Sequence, residues 1–115
     1  MQKLSDKTYY IYVIRCFDNS LYTGITTDVK RRFEEHTTRR SSGEKYTRSK
    51  KAMSIEAVWS CLSRALASKL EYALKHLTRE KKESLIANPQ FFNILFSEKL
   101  NVNSYVYLEE YKGYK

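Results

Sequence analysis

A chain of 115 residues, 42% of them hydrophobic, is long enough for one packed domain and leaves little room for a second. Its 21 Lys and Arg against 13 Asp and Glu give a formal charge of +8, which favours a polyanionic partner, nucleic acid first, because each neutralised phosphate releases condensed counterions. Its two cysteines stand in no metal-ligand spacing, no apolar stretch of signal-peptide length opens the chain, and no segment approaches the roughly 20 apolar residues of a membrane span. A cysteine-ligated metal module and a membrane helix are thereby disfavoured, and a cytoplasmic protein with buried free thiols is expected.

In chain order, residues 9–17 are almost all β-branched, aromatic or apolar, which predicts a strand covered on both faces and central in its sheet. Asp18, Asn19 and Ser20 supply turn chemistry and Leu21 to Ile25 resumes the β pattern, so the two segments read as a hairpin that lets Tyr12 approach Tyr22. Gly24, inside the second strand, marks a bulge or a close approach. Thr27 or Asp28 caps a helix to about Thr38, with Val29 and Phe33 on its buried stripe and Arg32 and His36 on a neighbouring face. Residues 39–51 are polar and basic and read as an exposed loop. Ile55, Ala57 and Trp59 alternate with Glu56, Val58 and Ser60, which predicts a half-buried third strand.

Ser63 is the expected cap of a core-facing helix carrying Leu66, Leu70, Ala73, Leu74 and Leu77. Thr78 caps a shorter one with Leu85 and Ile86 inward, ended by Asn88-Pro89. The Phe- and Tyr-rich remainder argues against disorder but is compatible with helix or strand over 91–100. The expected fold is one α/β (α+β) domain: a small, mainly antiparallel three-stranded sheet flanked by helices. Residues 1–87 form its functional part and 88–115 an extension packed on it.

Taken singly, the polar residues have ordinary readings. Strand tyrosines pack with a wet hydroxyl, Arg32 and His36 form a solvated face, and Arg31–Glu35 and Glu71–Lys75 are weak i,i+4 pairs. Arg31 and the loop residues Arg39, Arg40, Lys45, Arg48, Lys50 and Lys51, with Tyr46 among them, suit a nucleic-acid backbone with one base stacked on the aromatic ring; Arg79, Lys81 and Lys82 extend that track. Order and spacing carry more: YIY at Tyr10, Ile11 and Tyr12, YTG at Tyr22, Thr23 and Gly24, then Arg32, His36 and, on a later helix, Glu71.

This series resembles the GIY-YIG nuclease domain, in its small stand-alone YhbQ-like bacterial branch, over roughly residues 8 to 87. Tyr10 stands where that family has glycine. The resemblance implies a divalent-metal-dependent endonuclease that hydrolyses nucleic-acid phosphodiesters, DNA more than RNA, in DNA processing or repair. Its implied catalytic residues are Tyr12, Tyr22, Arg32, His36 and Glu71, with Glu71 the ligand for Mg²⁺ or Mn²⁺. Tyr12 is the expected general base and Tyr22 the phenol that positions water or phosphate, although the two roles are interchangeable on sequence; His36 orients Tyr12 or passes its proton on. The residue types suit the chemistry. Arginine offers a planar charged fork to phosphate oxygens, one carboxylate suffices for an ion that keeps most of its waters, and a phenol with pKa near 10 needs positive neighbours to ionise.

No sequence-reading module is visible, so specificity is expected from nucleic-acid structure or from a protein partner. The asparagine that follows the glutamate in other family members has no aligned counterpart, Asn88 being only a remote candidate. That departure motivates an alternative, a nucleic-acid-binding module on the same scaffold that cuts weakly or not at all. A third reading is an adaptor that docks another protein through Phe91, Phe92, Phe96, Tyr105 and Tyr107, set against core burial of the same residues.

Overall fold

The computed structural model describes residues 7–38 and 51–115. Strands β1 (Tyr9–Cys16) and β2 (Leu21–Thr26) form the expected antiparallel hairpin. Its turn is closed by local chemistry: Asp18 Oδ1 accepts from Ser20 N at 3.0 Å, and Asn19, a residue type that tolerates the left-handed region, sits at φ 71°. Strand β3 (Ala52–Cys61) pairs antiparallel with the other side of β1, which is therefore interior, as its uninterrupted apolar run predicted.

A short β4 (Val106–Tyr107) adds to β3, so the sheet has four strands in the order β2-β1-β3-β4 rather than three. The tail also hydrogen-bonds β3 beyond that strand: Gly113 N donates to Ile55 O at 2.8 Å and Ile55 N to Tyr114 O at 2.9 Å. The exposed edge of β3 is thereby satisfied.

Helix α1 (Val29–Thr38) is capped by Asp28, whose Oδ1 accepts from Arg31 N at 3.1 Å. Ser63 caps α2 (Arg64–Lys75) and Thr78 caps α3 (Arg79–Ala87), each accepting from a backbone N–H three residues on at 3.1 Å. The stretch left open by sequence forms α4 (Phe91–Phe96).

Two apolar clusters lie on opposite faces of the sheet. One gathers Ile11, Val13, Ala57 and Trp59 with Ala67, Leu70 and Leu74 of α2, Leu85 and Ile86 of α3, and Phe92, Phe96 and Tyr105 of the tail. The other joins Tyr12, Ile14, Ile55 and Val58 to Val29 and Phe33 of α1. Strand β3 is thus buried on both faces, not half-buried. Its register against β1 shifts between Val13 and Ile14, where Ala57 and Ile55 are the successive partners and Glu56 is extra. This bulge sends Ile55 to the α1 side while Ala57 and Trp59 stay on the α2 side, an alternation that simple period-2 reading cannot see.

The bulge residue is held by Arg15. Its Nε donates to Glu56 Oε2 at 2.8 Å, while Nη1 and Nη2 grip Glu83 of α3 at 3.0 and 2.7 Å. Arg15 and Glu56 side chains are 15% and 17% exposed, so removing the guanidinium leaves a largely desolvated carboxylate with weaker neighbours, Ser54 Oγ at 3.4 Å and Lys112 Nζ at 3.9 Å. Arg15→Ala is therefore expected to destabilise the domain by about 2–3 kcal/mol, less than a fully buried pair because some water remains, as read from urea midpoints. The bond from Arg15, joined by Arg79, holds the Glu83 carboxyl down to about 2 from 4.5. A depressed carboxyl stabilises the fold above its unfolded pKa and loses that contribution as pH falls through the folded value. The gap between parent and variant should accordingly narrow from about pH 4.5 to about pH 2.

Candidate active site

The hairpin register fixes the first half of the site. Tyr12 lies opposite Gly24 and Ile14 opposite Tyr22, so both phenols project from the α1 face, with ring centroids 6.2 Å apart. Pairing runs without a shift from Tyr10–Thr26 to Arg15–Leu21, so Gly24 marks a close approach and not a bulge. A Cβ at Gly24 would stand 2.7 Å from Tyr12 Cζ and nearer still to the hydroxyl. The glycine of the second motif makes room for the tyrosine of the first.

Helix α1 brings Arg32 and His36, one turn apart, against Tyr12. Arg32 Nε donates to the Tyr12 hydroxyl at 3.4 Å, and that oxygen lies 3.3 Å from His36 Nε2. Arginine can only donate, so the phenol accepts from Arg32, while the direction of its bond with His36 Nε2 follows the imidazole tautomer. The His36 ring also lies 4.8 Å from that of Tyr22. Tyr12 is 2% exposed and Tyr22 43%, so an incoming group meets Tyr22 and the half-buried Arg32 before it meets Tyr12.

Burial pushes the Tyr12 phenol above its usual pKa; the hydrogen bond and charge of Arg32 oppose this, and Tyr22 and Glu71 add to it. The positive charge expected to ionise Tyr12 is present, but desolvation outweighs it, and the phenol is neutral at neutral pH. Arg32 is held firmly protonated, first by Glu35 and then by Tyr12.

Glu71 reaches the site differently. The buried stripe of α2 (Ala67, Leu70, Leu74) packs on the face of the sheet opposite Tyr12, yet α2 runs along β2, the free edge. Glu71 stands off that stripe, its side chain 26% exposed and 3.2 Å from Lys75 Nζ, and its charge acts on the Tyr12 phenol. That influence is the smallest of those acting on the Tyr12 phenol. Among the described residues no cluster of three or more His, Cys, Asp or Glu side chains is placed to hold a metal ion. A lone carboxylate suits Mg²⁺, which keeps its waters and shares phosphate oxygens, and does not suit a zinc or calcium cage.

The remaining motif positions are structural. Ile11 and Thr23 are buried on the opposite face, and Tyr10 packs on the α1-side cluster. Arg31 is exposed and pairs with Glu35 at 2.8 Å. Lys51 is half-buried, its carbonyl accepting from Phe17 N. Arg39, Arg40, Lys45, Tyr46, Arg48 and Lys50 lie outside the described residues. Of the later basic cluster, Arg79 is engaged by Glu83 and by Asn19 O. Asn88 is the C-cap of α3.

Two features escaped sequence reasoning. Glu35, read only as the partner of Arg31, also accepts from Arg32 Nη1 at 2.9 Å and so fixes the guanidinium; the i,i+3 spacing was the available signal. Arg64 joins Arg31 and Arg32 in lining a hollow of about 370 Å³ beside the site, a tertiary meeting that no spacing announces.

Residues 8–84 match the family profile described as the GIY-YIG catalytic domain. The UPF0213 protein FN1575 of Fusobacterium nucleatum is 44% identical over 84 residues, 73% of this chain and 82% of that one. The UPF0213 protein YhbQ of Salmonella arizonae is 42% identical over 89 residues, 77% and 87% of the two chains. The solution NMR structure of the UPF0213 protein BH0048 from Bacillus halodurans is 36% identical, covering 81% of this chain and 98% of that one, with a TM-score of 0.46. By the matched profile and these relatives, this chain belongs to the GIY-YIG family, alongside the UPF0213 proteins.

Proposed function

We propose that the protein is a divalent-metal-dependent endonuclease that hydrolyses nucleic-acid phosphodiesters, acting on DNA in processing or repair and directed by substrate structure or a partner. The observation that carries this reading is the convergence of Tyr12, Tyr22, Arg32 and His36 on one face of the hairpin, with Glu71 in electrostatic reach.

In this reading Arg32 meets the phosphoryl oxygens, its Nε and Nη1 already committed to Tyr12 and Glu35 and the rest of its fork directed to substrate. Tyr22, the exposed phenol, positions water or phosphate. Tyr12 is neutral at rest, so it serves as a base only as a relay: it takes a proton on its oxygen while its own passes to His36 Nε2 across 3.3 Å. No phenolate needs to be stored. A bound Mg²⁺ or Mn²⁺ would be held by Glu71, after Lys75 releases it, and would neutralise charge on the phosphoryl oxygens.

The test is nicking of labelled DNA and RNA with Mg²⁺ or Mn²⁺. Cleavage is expected to be lost in Tyr12→Phe and in Glu71→Ala, while binding measured in chelator is retained. Retained binding with no cleavage by the parent would favour the non-cutting module, and equal residual cleavage in all three proteins would mean a contaminant.

A further inference from the structure

The face of α2 turned away from Glu71 borders a cavity of about 590 Å³ between α2, the start of α3 and the end of α4. Its apolar wall is Leu77, Leu95, Phe96 and Leu100, and Lys69, Lys81 and Lys99 stand on its rim. None of its lining residues, among the described ones, is acidic. Tyr72 projects beside it, 66% exposed, its ring 4.0 Å from that of His76, whose Nδ1 lies 2.8 Å from Tyr72 O. An exposed tyrosine kept in place by a neighbouring ring, over an apolar hollow rimmed by cations, is an arrangement with a stacking surface and a phosphate-binding border.

Glu71 and Tyr72 are consecutive residues of one helix, so the cavity and the Glu71 side of that helix are separated by about one helix diameter, roughly 10 Å. A few nucleotides of single strand cover that distance. We infer that this cavity is a second nucleic-acid site, which takes a single-stranded segment adjoining the cleaved linkage, one base stacked on Tyr72 and its phosphates on Lys69, Lys81 and Lys99. The assignment rests on the nuclease reading for what occupies the first site, and it narrows the substrate to nucleic acid with a single-stranded tail or flap. An acidic peptide would satisfy the lysines equally. Continuity with the Glu71 side of the same helix and the free aromatic face favour the nucleic acid.

Binding in chelator tests this independently of cleavage. Fluorescence anisotropy with a labelled oligothymidylate of about 12 nucleotides is expected to show roughly tenfold weaker binding for Tyr72→Ala, with Tyr72→Phe within about twofold of the parent. The Lys81→Ala/Lys99→Ala pair should flatten the dependence of log K on log salt by about 1.4, two phosphate contacts on a single strand. These positions are exposed, so the variants should keep the parent's melting temperature. Unchanged oligothymidylate binding in Tyr72→Ala would overturn the assignment, as would displacement of the oligonucleotide from the parent by poly-glutamate but not by unlabelled oligothymidylate. Loss of cleavage in Glu71→Ala with the Tyr72 dependence intact would support both sites separately. A parent that binds through Tyr72 and never cuts would remove the nuclease reading alone.

Discussion

Arg32→Lys is expected to slow phosphodiester cleavage by about 10²–10³-fold in a protein that remains folded, the loss typical when one preorganised donor to a developing charge is removed. The argument lies in how the guanidinium is divided. Its Nε reaches the Tyr12 hydroxyl at 3.4 Å and Nη1 reaches Glu35 Oε1 at 2.9 Å, which orients the plane of the fork before substrate arrives. An ammonium is a point charge on a flexible stem; it cannot hold Tyr12, Glu35 and two phosphate oxygens from fixed directions at once. A second consequence has a definite sign. Arg32 lowers the Tyr12 pKa against burial, so loosening it lets that pKa climb further. The alkaline inflection that ionisation of Tyr12 imposes on the rate should then lie at higher pH in the variant. Initial rates on labelled DNA across pH measure both effects, and a rate within about threefold of the parent, with an unmoved profile, would remove Arg32 from the chemistry.

What could be read in the sequence was local. The turn at Asp18, Asn19 and Ser20 and the caps at Asp28, Ser63 and Thr78 depend on side chains bonding backbone within three residues, so composition and spacing are enough. The same holds for Tyr12 and Tyr22, because a short hairpin allows few registers, and for Arg32 and His36, one helical turn apart. The illegible parts are tertiary. The extra residue at Glu56 leaves no trace in an alternating pattern until its partner strand is known, and β4 exists only because β3 offers it an edge. Glu71 could be placed on a helix but not on a side of the sheet. Its helix is buried on the sheet face opposite the tyrosines, while its charge still bears on the Tyr12 phenol. The tail was ambiguous for a related reason: Phe92, Phe96 and Tyr105 are core residues, whereas Phe91, Ile94 and Val106 of the same stretch are exposed. Only packing sorts them.

Gly24→Ala is expected to cost about 1–3 kcal/mol of stability and about 100-fold or more in cleavage rate, a double loss that an ordinary strand glycine would not produce. Gly24 is not in the left-handed region; among the described glycines only Gly113 is, so alanine suits the backbone and on chain entropy alone would stabilise by about 0.4–1 kcal/mol. The sign is reversed by what the methyl would strike. Tyr12 Cζ stands 2.7 Å from it, and Tyr12 cannot step aside, being 2% exposed and enclosed with Ile14, Val29, Phe33 and Val58. Any displacement pulls the hydroxyl from both Arg32 and His36, the contacts on which the proton relay depends. Companion substitutions separate the two losses. Tyr12→Phe in the Gly24→Ala background removes only the hydroxyl and leaves the clash at Cζ, so urea midpoints should recover little. Tyr12→Leu withdraws the ring and should restore much of the stability while cleavage stays lost. Restored cleavage in that double variant would show that Tyr12 contributes packing and no chemistry, and unchanged stability in Gly24→Ala would show that the phenol is free to move.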